Sequence, residues 1–291
     1  MYSALLKTPF YEANCKIVLI NLQKKRVRYK LKREINVGVI GYGYMGRTHT
    51  YAYKNLPIYY ELPPKEVRLL AACDIIPEKN KLAEQAGFAW TTTNYKEIIK
   101  SPEINLFDNC LPNALHYGPT IEAMETGKNV ICEKPLACNV KEANEMTEVA
   151  RKQGVKNLVG FMLRYAPAII LAKSLIDNGF IGKVFHFRGV YGHSRIVDPS
   201  APIEWRLKKS TAGGGALFDL GSHVIDLGRH LVGEIKEVVA CTETFVKERP
   251  TVSGGKDRVD VDDASLALLK FQNGAIGTLE ASRFSTGFVD E

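Results

Sequence analysis

The sequence predicts two domains of different kinds: a doubly wound α/β domain on a parallel sheet, then an α+β domain with a large, mostly antiparallel open sheet. Three observations lead there. From Ile35 to about residue 162, short apolar runs alternate with helical stretches, the pattern of β-α-β units. The first of those runs ends in a glycine-rich turn, Gly41-Tyr-Gly-Tyr-Met-Gly46. After Arg164 the rhythm shifts to longer alternating runs, the last two joined at Asn273-Gly274, a hairpin turn signal. We therefore divide the chain into 35–162 and 163–291, with 1–34 as a basic, flexible extension outside both.

Each element has its own signal. Ile35–Ile40 reads as a buried strand, followed by the glycine turn and a helix to about Leu56. Val67–Cys73 is a second strand, ending in Asp74. Pro77 suits the first turn of the next helix, because the N–H it lacks would be unbonded there anyway, and Gly87 closes that helix. Leu106–Cys110 is a strand, Ala114–Thr126 a helix closed by Gly127, and Asn129–Cys132 a strand. Val140–Gln153 is a helix closed by Gly154, and Lys156–Phe161 completes the set. In the second domain a helix at Pro167–Asn178 leads to a strand at Lys183–His193. Gly213-Gly-Gly215 opens a helix to Leu231, and strands follow at Lys236–Lys247, Ala264–Phe271 and Ala275–Arg283.

Composition narrows the function classes. With 45% hydrophobic and 24% charged residues the chain can build an ordinary core. No apolar run reaches the length of a membrane-spanning helix. The formal net charge of +7 is concentrated at one end: residues 1–34 hold nine Lys or Arg against two Glu, which leaves 35–291 balanced and argues against a nucleic-acid-binding body. The six cysteines form no C-x-x-C pair and the histidines no H-x-x-x-H pattern. Reduced thiols, no metal and a cytoplasmic location are the expectation. Residues 1–34 lack the charge order and small-residue cleavage site of a secretion signal.

The chemistry-bearing residues lie at strand ends. Gly41, Gly43 and Gly46, with Tyr44 and Met45 between them, follow a strand and open a helix, the context that makes this spacing a dinucleotide-binding (Rossmann) fingerprint. The first glycine permits the tight turn, the second lets backbone reach a pyrophosphate, and the third lets helix pack on strand. Asp74 ends the second strand, where a carboxylate can accept from ribose hydroxyls; the other reading is a solvated strand-end acid. It lies 28 residues past Gly46, against about 20 usually, an excess that the Pro57–Lys65 segment accounts for. Its charge opposes a 2′-phosphate and favours NAD over NADP. Pro112 and Asn113 either line the nicotinamide side or serve as a helix start, with His116 in the same segment. Glu133-Lys134-Pro135 ends another strand; its Lys-Pro bond is a candidate cis peptide that turns Lys134 toward the cleft. On a regular helix Asp219, His223 and Asp226 share one face, which raises the basicity of the imidazole; a plain ion-paired helix surface is the other reading. The three glycines upstream would let a ligand approach the backbone.

Taken together, Gly41–Gly46, Glu133-Lys134-Pro135, Trp205-Arg206 and the run Gly213–Asp226 resemble the glucose–fructose oxidoreductase/inositol dehydrogenase/rhizopine-catabolism (Gfo/Idh/MocA) family over about residues 35–291. The resemblance implies that Lys134, Asp219 and His223 are catalytic, that Glu133 and His116 belong to the cofactor site, and that NAD is the cofactor. Arg164, Tyr165, Tyr191, His193 and Arg206 are candidate substrate contacts, the last four read equally well as sheet or loop packing. The segments Arg164-Tyr165-x-Pro167 and Val197–Arg206 look most like bacterial members acting on inositols or levoglucosan-type sugars. The implied reaction oxidises a secondary alcohol of a sugar or cyclitol. Rival readings are an NADP-dependent aldose or aldehyde reductase and a non-catalytic nucleotide-binding regulator. Family members continue beyond the position of Glu291 through further strands, so the chain reads as C-terminally incomplete, and the full-length form is expected to be a homo-oligomer through the open sheet.

Overall fold

The computed structural model describes residues 34–60 and 66–287. Strands β1 (Ile35–Ile40), β2 (Val67–Cys73), β3 (Trp90–Thr92), β4 (Leu106–Asn109), β5 (Asn129–Cys132) and β6 (Asn157–Val159) form one parallel sheet in the order β3-β2-β1-β4-β5-β6. Helices α1 (Tyr44–Tyr59), α2 (Pro77–Gln85), α3 (Tyr95–Lys100), α4 (Tyr117–Glu125) and α5 (Val140–Gln153) connect successive strands. The alternation of side chains along β1 divides the core between the two faces. Val37 and Val39 pack with Ala72, Ala83 and Phe88, whereas Ile40 packs with Ile98, Phe107 and Met124. A sheet covered on both faces needs apolar residues at every position, which is why these strands read as unbroken runs. Strand order reverses between β1 and β4, and at such a switch point a crevice opens at the strand carboxyl ends.

Two details depart from the sequence reading. β3 and α3 were not expected, because three residues of strand leave no periodicity to read. Helix α1 runs to Tyr59 rather than ending near Leu56, with Pro57 taken into its last turn.

The second unit contains α6 (Pro167–Asp177), β7 (His186–Gly192), α7 (Lys209–Ala212), α8 (Ser222–Leu231), β8 (Ile235–Glu243), β9 (Glu248–Pro250), β10 (Lys256–Arg258), β11 (Ala264–Phe271) and β12 (Ile276–Ser282). Its main sheet has the order β7-β12-β11-β8, antiparallel except for the parallel β12–β7 pair, and β9 and β10 pair separately. Asn273-Gly274 does turn β11 into β12, with Gly274 at φ +87°. One sheet face packs under Leu220 and Val224, against Leu269, Phe271, Leu279 and Ala281. The other face shows Val190, Val239, Leu266 and Leu268 to solvent. The single helix expected from Gly213 to Leu231 is instead composite: Leu217–Gly221 form a wider π-helical turn, and α-geometry begins at Ser222. The expected N-terminal extension and the final residues of the chain lie outside the described residues.

Candidate active site

The glycine turn does with backbone what its sequence suggested. Gly41 has φ +82°, and a Cβ there would lie 2.7 Å from the Cys110 carbonyl oxygen. A Cβ on Gly46 would lie 2.3 Å from the Gly41 oxygen, so helix and turn touch directly. Gly43 meets nothing within 4 Å and leaves its side of the turn open. No side chain caps α1 and no acid occupies its first turn, so the N–H groups that open the helix are left for an anion to satisfy. This cradle fits a pyrophosphate.

Asp74 stands beside it, buried, with Oδ2 accepting from the Tyr42 N–H at 2.9 Å and Oδ1 from the Ile76 N–H at 3.0 Å. Lys79, in the first turn of α2, reaches Oδ2 at 3.3 Å. The strand-end acid is therefore held against the turn rather than solvated.

Across the sheet, β5 delivers Lys134, and the Lys134–Pro135 bond is cis. Lys134 Nζ donates to Asp219 Oδ1 and to the Asp219 carbonyl oxygen, each at 2.8 Å. Asp219 Oδ2 accepts from Arg283 at 3.1 Å, and Arg283 also donates to the Arg206 carbonyl oxygen at 3.2 Å. Burial pushes the Asp219 carboxyl up, but Lys134 and Arg283 outweigh it and hold the group well below the usual carboxylate range. Asp219 is thus a fixed anion between two cations.

His223 is 4% exposed and ringed by Phe161 and Tyr191, with centroids 6.0 and 5.8 Å away. Its Nδ1 is buried without a hydrogen-bond partner among the described residues. Burial and the nearby Lys134 charge pull its pKa down to about 4, although Asp219, Glu133 and Asp226 pull the other way. The expected push of Asp219 toward a more basic imidazole is present, but burial and Lys134 outweigh it and the net shift is downward. The π-helical turn aims Asp219 at Lys134, Asp226 is spent on Arg164, and the ring is left neutral.

Several other expectations change. Arg164 makes a two-point ion pair with buried Asp226 through Nε and NH2, so its guanidinium anchors the Met162–Tyr165 turn to α8 rather than waiting for substrate. His116 is fully buried, its ring nitrogens 2.8 Å from the Pro135 and Leu111 carbonyl oxygens, and offers no surface to a cofactor. Glu133 is buried, and one of its carboxylate oxygens lies against His49. Asn113 does not cap α4; its amide donates to the Ala212 carbonyl oxygen at 2.9 Å, tying the two domains together. The three glycines make room for protein, not ligand: added Cβ atoms at 213, 214 and 215 would strike Cys138, Phe218 and Asp262. Asp262 then accepts from the Gly215 and Leu217 N–H groups and fixes the π-helical turn. Pro112 precedes the short helical turn Asn113–Leu115. Tyr165 is 60% exposed, Tyr191 packs on His223, and Arg206 stacks on Trp205 at 4.4 Å. His193 is buried, and its Nδ1 accepts from the Arg195 N–H at 3.3 Å.

The sequence reading missed Arg283, Asp262, Lys79 and His49. Asp108, missed as well, had a signal: a charged residue inside the apolar run Leu106–Cys110 needs buried partners.

A dinucleotide cradle and a Lys–Asp–His group at the carboxyl ends of one sheet define a nicotinamide-dependent oxidoreductase. Comparison with known proteins agrees. Residues 35–161 match the oxidoreductase family with an NAD-binding Rossmann fold, and residues 169–289 match the Gfo/Idh/MocA C-terminal domain. Levoglucosan dehydrogenase of Pseudarthrobacter phenanthrenivorans is 39% identical over 272 residues, 88% of this chain and 69% of that one. The NAD(+)-linked scyllo-inositol 2-dehydrogenase of Bacillus subtilis is 31% identical, over 88% of this chain and 69% of its own. A solved structure of levoglucosan dehydrogenase with NADH and levoglucosan superposes with a TM-score of 0.85 at 39% identity, covering 89% of this chain and 69% of that one. The chain belongs to the Gfo/Idh/MocA oxidoreductase family.

Proposed function

We propose that this protein oxidises a secondary alcohol on a sugar or cyclitol ring with NAD, its substrate drawn from the anhydrosugar and inositol classes on which its relatives are named as acting. The observation that carries the reading is the buried His223 ring, its Nδ1 without a hydrogen-bond partner among the described residues, beside a lysine locked onto a carboxylate. When bound, NAD supplies the hydride acceptor. His223, uncharged across the neutral range, is free to take the hydroxyl proton. Lys134 has two acceptors on Asp219 and one N–H left for the reacting oxygen, where it stabilises developing negative charge. Tyr165 and Arg206 are the partly exposed groups placed to meet substrate hydroxyls.

We assign 35–162 to cofactor binding and 163–291 to substrate binding. Free Cys73 and Cys132 in the core favour a reducing, cytoplasmic setting. The outer face of the second sheet, with Val190, Val239, Leu266 and Leu268 in one patch, supports a homo-oligomer. Leu268→Glu would return such an assembly to monomer in light scattering.

The deciding experiment follows NAD reduction by the purified protein on a panel of anhydrosugars, inositols and pyranoses. Turnover on one class establishes it as substrate. Tight NAD binding with no hydride transfer on any of them would favour the regulator, and turnover with NADP alone the reductase.

A further inference from the structure

The glycine turn, the end of β4 and the end of β5 all lead to the cleft, and one side chain touches the charged groups behind them. His49, in the second turn of α1, has Nδ1 2.9 and 3.1 Å from the two Asp108 oxygens and Nε2 3.0 Å from Glu133 Oε1. Ionised carboxylates only accept, so with both acids ionised both ring nitrogens must donate, which only the imidazolium does. A neutral tautomer would set a lone pair against a buried anion. The other groups facing the ring agree with this. Cys110 Sγ lies 3.5 Å from Nδ1, its thiol kept protonated by burial and by Asp108, and Tyr53 donates to Asp108 Oδ2 at 2.8 Å. Asp108 is fully buried and Glu133 nearly so, so bulk water does not solvate either carboxylate in place of the ring. Glu133 Oε2 accepts from the Lys134 N–H at 3.3 Å.

We propose that His49 is a permanently cationic positioning residue that keys the helix behind the dinucleotide turn to the Glu133-Lys134 segment. The placement of Lys134 then depends on a charge buried in the cofactor domain, an inference that rests on the role given to Lys134 above. His49, Asp108 and Cys110 also bring N, O and S donors close enough for a soft divalent cation. A proton shared over 2.9 Å between His49 and Asp108, with Glu133 on the far nitrogen, satisfies the same groups without one.

The first test is NMR of the full chain with ring-¹⁵N histidine. His49 is assigned by its loss in His49→Gln, or by elimination against the other five histidines if that variant does not fold. It is expected to be doubly protonated at about pH 8.5, roughly two units above an ordinary histidine. A neutral ring there overturns the proposal, as does stoichiometric zinc that disappears in Cys110→Ser. The second test is kinetic. In His49→Gln, kcat is expected to fall about 10–100-fold while the NAD Kd stays within about threefold, the mark of a misplaced catalytic group rather than lost binding. A new ionisation should also enter the kcat profile between about pH 5 and 8, because two buried carboxylates without their cation cannot both stay charged. Folded His49→Gln with unchanged kcat and pH profile, whatever its Tm, reduces the residue to a structural part. If the wild-type protein turns over no alcohol, the function fails, while the NMR result still decides the charge of His49.

Discussion

His49 and His223 belong to the cofactor and catalytic sides of the site, both mostly buried, and they hold opposite protonation states. Burial pushes each ring toward neutrality. At His49 the hydrogen bonds to Asp108 and Glu133 overturn that push and hold the ring far above an ordinary histidine. At His223 the Lys134 charge adds to burial, and the pKa falls to about 4. Burial acts on both rings in the same direction, and the partners each ring meets decide whether it prevails. The cofactor side is thereby braced by a fixed cation, while the catalytic side keeps a histidine able to accept. Their effects on stability run in opposite directions. The contribution of His49 is complete below about pH 6.5 and declines as pH rises above it, whereas the penalty at His223 is absent above about pH 6.5 and grows as pH falls toward 4.

The sharpest way to break this contrast is His223→Ala. Turnover should fall by roughly 10²–10⁴, with NAD affinity nearly unchanged because Gly41–Gly46 and Asp74 hold the cofactor from the other side. Steady-state rates and a fluorescence titration of NAD give both quantities, and a wild-type kcat would pass the proton to another group, with Lys134 next. On the cofactor side, Asp74→Ser with Ile75→Arg should raise the NADP:NAD ratio of kcat/KM by about 10–100-fold, since a repelling carboxylate is exchanged for a phosphate partner. Lys79, freed from Asp74, adds to the effect. An unmoved ratio would show that Asp74 does not read the ribose.

Asp219→Asn is expected to act more mildly, lowering kcat about tenfold and moving the acid limb of the pH–rate profile to lower pH. The sign follows from removing a negative charge that favours the His223 imidazolium. A limb that moves up instead would mean that Asp219 acts on His223 through the position of Lys134. The smallest effect is expected from deleting residues 1–33, after which NAD affinity should stay within about twofold. Glu34 pairs with Arg68 at 3.2 Å, both about half exposed, and such a surface pair contributes about 0–1 kcal/mol. A loss of affinity detected by the same titration would make the N-terminal segment part of the cofactor domain.

The two sides also differ in how far they could be read in advance. The roles of Gly41, Gly43 and Gly46 depend on backbone shape within six residues, and strand, turn and helix follow one another along the chain. Asp74 is legible for a related reason, since an acid at the end of β2 has few places to point. The catalytic side offers no such economy. Lys134 meets Asp219 across 85 residues, and Arg283 meets it across 64. The helical spacing of Asp219 and His223 told that the two act on each other but not that Asp219 bonds Lys134 and Arg283, because the π-helical turn that carries it is fixed by Asp262, some forty residues further on.

Sequence alone therefore determined the alternating parallel-sheet domain, its dinucleotide turn, the shift to antiparallel strands, and the residue types of a dehydrogenase site. Those features rest on periodicity, on glycine's lack of a Cβ, and on residues adjacent in the chain. Only the tertiary structure decided which charges pair. It gave Asp219 to Lys134 and Arg283, Asp226 to Arg164, and Glu133 to His49, and it left His223 neutral. The state of a buried histidine is set by its burial and by the charges that meet it in space, and here those charges come from β4, from the segment after β5 and from the helical turns of the second domain.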